Sequence, residues 1–432
     1  MSSPAGTFIL PSEDRNNVRM RFQEYFAAMG RIPGAWLLLA FLLLPVVPSG
    51  AVLAAYAGLL TFAWKTRFRL VSIQGMWRTP FPWMAGFFLL HALGLLWTSD
   101  LGFGLFDLQI KSPLLLLPLL VLFAGSSLAG HREVPLFMFV LVNAAMVIVC
   151  TTSAVFRIVG GSDLSVAQEI SSSYWSLALH PSYFALYLSV AIAVWCLLPL
   201  HRWLPRSMTV AVLVLLCIGV VLSASKMGWI MLPLLLCTLL VLRWRDRGVR
   251  TALIGMGILF AMGIVAMLAF SSNARERVQE MWKAAREKPQ DITTVASSEV
   301  RRLTWATAWD LFLQEPVLGT GTGDIKNELV AAYEVRGYTG AAEKRLNAHG
   351  QYLQSAACLG ILGLLLLVGI VLGPLVFGGP RDQLLVLFLL LNGFNWLVES
   401  MLEVQAGTVF LALLTIVLFS PSDHRNAAVL EP

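Results

Sequence analysis

The sequence predicts an all-α, polytopic membrane protein, and three observations carry that prediction. Hydrophobic residues make up 57% of the 432 positions while charged residues make up 13%, a balance no ordinary soluble chain shows. The mean hydropathy is +0.74. The apolar residues fall in long, nearly uncharged runs that approach the roughly 20 residues a helix needs to cross a hydrocarbon core. Such runs differ from the short alternating segments of a membrane barrel, so helices are the expected spanning element.

Residues 1–33 carry Arg15, Arg19, Arg21 and Arg31 without an apolar run, do not resemble a cleavable signal peptide, and are expected to be cytoplasmic. Apolar runs between polar punctuation then predict about 12 transmembrane helices: 34–48, 50–64, 81–98, 113–129, 134–157, 180–200, 207–223, 227–242, 251–270, 350–378, 383–398 and 406–420. The implied organisation is transmembrane helices 1–9 over 34–270, a large periplasmic loop over 271–349, helices 10–12 over 350–420, and a cytoplasmic tail over 421–432.

An even number of spans places both termini on one side. With that side inside, the cytoplasmic segments hold 17 Lys/Arg, including "WKTRFRL" (64–70) and "RWRDRGVR" (243–250). The five short outer segments hold only Lys111 and Lys226, with Arg157 at the outer end of the span 134–157, and this asymmetry sets the expected orientation. Within the spans charge is nearly absent, His91 being the main exception. The loop 271–349 carries 11 Lys/Arg and 11 Asp/Glu, and long translocated segments escape the charge rule. At that length it is expected to fold.

The net charge of +6 follows from the inside bias and carries no nucleic-acid signature. All five cysteines fall within spans, with no metal or redox spacing. There is no HExxH, DxD or GxSxG, so no metal or other cofactor is implied.

Inside the loop, Asn273 and Glu276 form a capping-box signature, followed by Val278, Met281, Trp282 and Ala285 at helical spacing, with Pro289 as the stop. Arg275, Arg277 and Lys283 on the other face fit either an interfacial helix on anionic headgroups or one packed on the spans. In "SSEVRRLTWATAWDLFLQEP", Arg301, Trp305, Trp309 and Phe312 share a face. The aromatic stripe suits packing, with ligand contact as the alternative. The adjacent Arg301 and Arg302 suit phosphate oxygens. Gly319, Gly321 and Gly323 suit a tight turn, or backbone amides offered to an anion.

The polar residues left at the outer ends of spans are His180 and Tyr183 in "HPSYFALY", Ser225 and Lys226 in "SASKMGW", His349 in "KRLNAHGQYLQ", and Glu399 and Glu403 in "ESMLEVQAG". Each has a plain structural use, as a helix start, a snorkelling cation or a solvated loop carboxylate. Together they form a cationic outer-leaflet pocket suited to a membrane-bound pyrophosphate.

On "HPSYFALY", "SASKMGWI", the Arg–Trp helix with "PVLGTGTGDI", and "NAHGQYLQ", the chain resembles the O-antigen ligase/polymerase superfamily of bacterial inner-membrane glycosyltransferases. The likeness runs from about residue 180 to the C-terminus and includes the span layout with its late large loop. The ligase branch is the more similar, its hallmark being a histidine just before the helix that follows the loop. Here Gly350 stands where an Asn commonly follows, Asn347 precedes, and Lys226 stands where Arg is common. Lysine keeps the charge but lacks the bidentate fork.

The resemblance implies a fold similar to lipid-phosphate-dependent (GT-C type) glycosyltransferases. The implied reaction is transfer of a glycan from undecaprenyl pyrophosphate to a sugar hydroxyl of lipid A–core, at the periplasmic face and without metal or nucleotide. His349 would be the general base. Arg301, Arg302, Lys226 and His180 would bind pyrophosphate, with Tyr183, Asn347, Gln351, Arg275 and Glu399 lining the substrate. Partners would be the two glycolipids and membrane lipids, with no nucleic acid.

Chemically, the acceptor hydroxyl needs a proton acceptor, which a neutral imidazole supplies, and the leaving pyrophosphate needs cations. The helix start at His349 and Arg345 nearby disfavour imidazolium while a bound pyrophosphate favours it, so the net direction is not legible. The alternatives are a polymerase acting on polyprenyl-linked glycans, an oligosaccharyltransferase acting on protein hydroxyls, and a 12-helix transporter, which would place charge near mid-membrane and show two similar halves.

Overall fold

A computed structural model describes residues 13–69, 78–124, 130–271, 297–377 and 382–419, with isolated positions between 274 and 293. Among these residues the fold is all-helical, with no strand. Among the described residues, helices fall within the expected apolar stretches. Four are long and apolar enough to cross a membrane: Leu101–Phe123, Glu133–Val159, Arg247–Phe270 and Gln351–Val376. A fifth candidate is the pair Val18–Met29 and Arg31–Leu43, bent by 116°. Six shorter apolar helices accompany them, Pro181–Leu197 among them.

The bend follows Gly30, whose φ of +88° few other residues adopt. Helix Pro181–Leu197 is the centre of the molecule. Nearly every side chain on it is buried, and it packs against helices Glu133–Val159, Arg206–Leu222, Lys226–Leu242 and Gln383–Asn395. An apolar helix enclosed on all sides in this way carries no stripe of polarity. Helix Arg247–Phe270 is the opposite case, with only four of its side chains buried.

One element begins well before its expected position. The stretch expected at 113–129 starts at Leu101, where Asp100 caps the helix by accepting from the Phe103 N–H at 2.9 Å. Asp107 and Lys111 therefore lie inside an apolar helix rather than in an outer loop. Apolar runs alone misplace such a boundary, because a paired charge on one helical face is compatible with burial.

Residues 297–349 form a second, smaller core. Helices Ser297–Gln314, Ile325–Val335 and Thr339–Glu343 pack Val300, Leu329, Tyr333 and Ala341 together, and against Ala357–Leu359 of helix Gln351–Val376. Their attachment explains the glycine-rich turn. Helix Gln351–Val376 breaks at Leu359 and Gly360, and the segment 316–321 fills the break: Thr320 and Gly321 donate their N–H groups to the Ala357 and Cys358 carbonyls at 2.9 and 3.0 Å, and the Ile361 N–H donates to the Pro316 carbonyl at 2.8 Å. Gly319 and Gly360 both have positive φ, and a Cβ on either would sit within 2.5 Å of opposing backbone. The turn's amides thus satisfy a broken helix, which removes them from any anion.

Of the first loop helix expected from Asn273 onward, Asn273, Arg277, Met281, Lys283, Ala285 and Pro289 lie outside the described residues. The five cysteines are all free thiols, and only Cys237 is exposed.

Candidate functional site

His349 sits on a segment whose backbone is fixed at almost every polar group. Its φ is +49°, a left-handed value that costs a non-glycine residue about 1 kcal/mol or more. Asn347 Oδ1 accepts from the His349 N–H at 3.0 Å, closing the turn that makes this conformation accessible. The Trp305 indole donates to the His349 carbonyl at 3.1 Å, and the Thr304 hydroxyl to that of Ala348 at 3.2 Å. Gln354 Oε1 accepts from the Ala348 N–H, Ser400 Oγ from Gly350, and the Trp396 carbonyl from Gln351. Trp305, read in sequence as packing or ligand contact, here holds the histidine's backbone.

Around the imidazole stand Arg301, Glu399 and His180. Burial displaces the His349 pKa downward most, Arg301 adds to that, Glu399 opposes it and His180 adds a smaller push, leaving it at about 4. The ring is therefore neutral at neutral pH. The cation responsible is Arg301; Arg345, the expected one, instead donates to Asn327 Oδ1 at 2.8 Å.

Arg301 Nη2 donates to Glu399 Oε1 at 2.6 Å, and both side chains are mostly buried. Its Nε is buried with no partner among the described residues. A guanidinium carries five N–H donors in a rigid plane, so the pairing with Glu399 leaves donors over for a phosphate oxygen. Arg302 follows on the same helix, turned about 100° around the axis, and is half-buried.

His180 is the N-cap of helix Pro181–Leu197, its Nδ1 accepting from the Ser182 N–H at 3.4 Å, and its ring lies 5.3 Å from that of Tyr183. Lys226 opens helix Lys226–Leu242 and donates to Ser298 Oγ at 2.7 Å, one turn before Arg301. The start of that helix is linked to His180's helix through Ser225 and Ser182, 3.4 Å apart. Three helix N-termini and the start of Ser297–Gln314 thus meet at one end of the molecule, all with their positive dipole ends toward it. The first N–H groups are largely occupied by Ser225, His180 and the Trp396 carbonyl, so side chains must grip an anion here.

Gln351 faces away from the histidine into a buried network. Its amide donates to Glu403 Oε1 at 2.9 Å and its Oε1 accepts from the Leu402 N–H at 2.7 Å. Glu403 in turn accepts from Lys111 Nζ at 3.2 Å, and Lys111, fully buried, donates to Asp107 at 2.5 Å. The sequence reading missed this support. The available signal was the i,i+4 spacing of Asp107 and Lys111, which puts both on one helical face.

The structure thus gathers His180, Tyr183, Arg301, His349 and Glu399 around one point, with Lys226 reaching the helix one turn before Arg301, Arg302 on the neighbouring face of that helix, and Asn347 and Gln351 as supports. Arg275 is elsewhere: it donates to the Leu268 and Ala269 carbonyls at 2.8 and 2.9 Å, closing the C-terminal end of helix Arg247–Phe270. His91 is also structural, buried with Nδ1 2.9 Å from the Phe87 carbonyl of its own helix.

Residues 211–368 match the O-antigen ligase family model. The chain carries an O-antigen ligase family domain. This domain contains Lys226, Arg301, Arg302, Asn347, His349 and Gln351, while His180, Tyr183, Glu399 and Glu403 approach from outside it. No curated protein matches the chain. The O-antigen ligase family comprises ligase- and polymerase-type glycan transfer, and an all-helical chain with membrane-length helices agrees with a lipid-borne substrate.

Proposed function

We propose that this O-antigen ligase family protein moves a glycan from undecaprenyl pyrophosphate to a sugar hydroxyl of lipid A–core, with His349 as general base. The observation that carries the reading is the neutral imidazole of His349, on a backbone held by Asn347 and Trp305, beside a guanidinium with donors in reserve. The acceptor hydroxyl oxygen attacks the anomeric carbon, its proton passes to the imidazole, and the bond from that carbon to the pyrophosphate oxygen breaks. Undecaprenyl pyrophosphate leaves with the bonding pair, and its growing charge meets Arg301, Lys226 and the converging helix dipoles.

A pKa of about 4 makes His349 by itself a weak base. Arrival of the diphosphate supplies negative charge beside the ring and raises its basicity, so proton acceptance is tied to donor binding. Glu399 supports the imidazolium once it forms, since its carboxylate already favours the charged ring.

In this reading the twelve helices all cross the membrane, both termini are cytoplasmic, residues 271–349 are periplasmic, and the site opens at the outer leaflet. The test is reconstitution of the protein with lipid-linked glycan and either lipid A–core or a second polyprenyl-linked glycan. The ligase reading expects product on lipid A–core. Product only on the polyprenyl acceptor would assign the polymerase reaction instead.

A further inference from the structure

At the end of helix Pro181–Leu197 opposite His180, about 25 Å away along the helix axis, lies a cavity of about 790 Å³. That is within the roughly 300–1,000 Å³ typical of small-molecule sites. Its lining includes Arg202, Arg206 and Arg247 with one acidic residue, Asp246, together with the apolar Val210 and Leu213.

The arginines are arranged against local electrostatics. Arg206 and Arg247 are the first residues of helices Arg206–Leu222 and Arg247–Phe270, where the positive dipole end disfavours a cation, and neither helix has an acid in its first turn. Asp246 is engaged as the cap of the second helix, accepting from the Val249 N–H at 3.1 Å. Among the described residues none of the three guanidiniums forms a hydrogen bond or ion pair within the chain. By contrast, Arg243 is held by the Leu197 carbonyl, and Arg250 by the Trp244 carbonyl and ring.

Two helix N-termini and three unpaired guanidiniums therefore line one cavity whose single acidic residue, Asp246, is engaged as a helix cap. The cavity is also amphipathic, with its cations at the helix ends and its apolar walls along helices able to lie in a membrane. That polarity matches a molecule with a phosphate at one end and hydrocarbon at the other. A free phosphate would leave the walls without a use. We propose that this cavity binds an anionic glycerophospholipid, its phosphodiester held by Arg202, Arg206 and Arg247 and an acyl chain lying along Val210 and Leu213.

The site is separate from the His349 centre, so its occupancy is testable without any transfer assay. Full-length protein is delipidated in neutral detergent, and its unfolding midpoint is followed as phosphatidylglycerol, phosphatidylcholine or inorganic phosphate is added. The expected result is a saturable rise with phosphatidylglycerol alone, weakened at high salt. Arg202→Gln, Arg206→Gln and Arg247→Gln combined should lower its apparent affinity at least tenfold and leave the lipid-free midpoint near wild type, because those side chains hold nothing in the chain.

Asp246→Asn keeps the helix cap and removes the one negative charge in the lining, so it should bind phosphatidylglycerol about two- to threefold more tightly. The proposal is overturned if phosphatidylcholine or inorganic phosphate produces the same rise. It is equally overturned if the triple variant keeps full affinity or Asp246→Asn binds no more tightly.

Discussion

Arg301 and Glu399, 98 residues apart in the chain, are joined by a 2.6 Å bond beside the ring of His349. The pair serves two ends at once: the guanidinium adds to the burial that keeps the imidazole neutral, and the carboxylate holds the guanidinium and favours the ring once it is charged. Removing one partner leaves the other mostly buried and unpaired. Glu399→Ala should therefore destabilise the protein by roughly 2–3 kcal/mol, below the 3–5 of a fully buried pair because the arginine is partly exposed. Replacing both partners with Met should cost less than the sum of the single changes, measured as unfolding midpoints in detergent.

His349 gives the pH dependence its sign. Its folded pKa of about 4 lies below the ordinary histidine value near 6.5, so between those limits the unfolded chain binds the proton better. Its contribution to stability is fully present above about pH 6.5 and declines as the pH falls toward 4. In activity, kcat/KM should hold level through neutrality and fall with an inflection near pH 4. The inflection in kcat should lie higher, because bound diphosphate raises the ring's pKa. Glu399→Gln, which removes the carboxylate that favours imidazolium, should move the kcat/KM inflection to lower pH.

Lys111 anchors the floor of the site. Lys111→Met leaves Asp107 and Glu403 facing each other without their cation, and Glu403 holds Gln351, two residues from His349. A loss of about 3–5 kcal/mol is expected for a fully buried partner. Adding Asp107→Asn removes one of the stranded charges and should restore part of it. Equal midpoints for Lys111→Met and wild type would refute the buried network.

Gly319 and Gly360 fasten the loop core to the broken helix. Alanine at either position combines a left-handed backbone with a Cβ inside 2.5 Å of opposing backbone, so each should cost more than the roughly 1–2 kcal/mol of the conformation alone. Limited proteolysis should then cut within 297–349 faster than in wild type.

Sequence makes some of this legible and hides the rest for physical reasons. His349, Arg301 and Lys226 stand out because polar groups at the edge of apolar runs are rare and need a use. The partner of Arg301 is hidden: Glu399 is the length of a small domain away, and no local spacing relates them. Lys111 is misread as an outer-loop cation because apolar runs place the helix start at 113, whereas Asp107 makes burial of the ammonium possible. The glycines signal a turn, but that it plugs a helix break at Leu359 and Gly360 depends on a contact between segments about 40 residues apart. Arg275 shares its type and region with the site cations, and only its bonds to two helix-end carbonyls reveal a different job.

The most direct measurement is the rate of glycan transfer by His349→Ala protein reconstituted in vesicles, taken together with donor-lipid binding by the same preparation. With the imidazole as proton acceptor, transfer should fall by roughly 10²–10⁴-fold while donor binding stays close to wild type. Transfer at the wild-type rate in His349→Ala would contradict it.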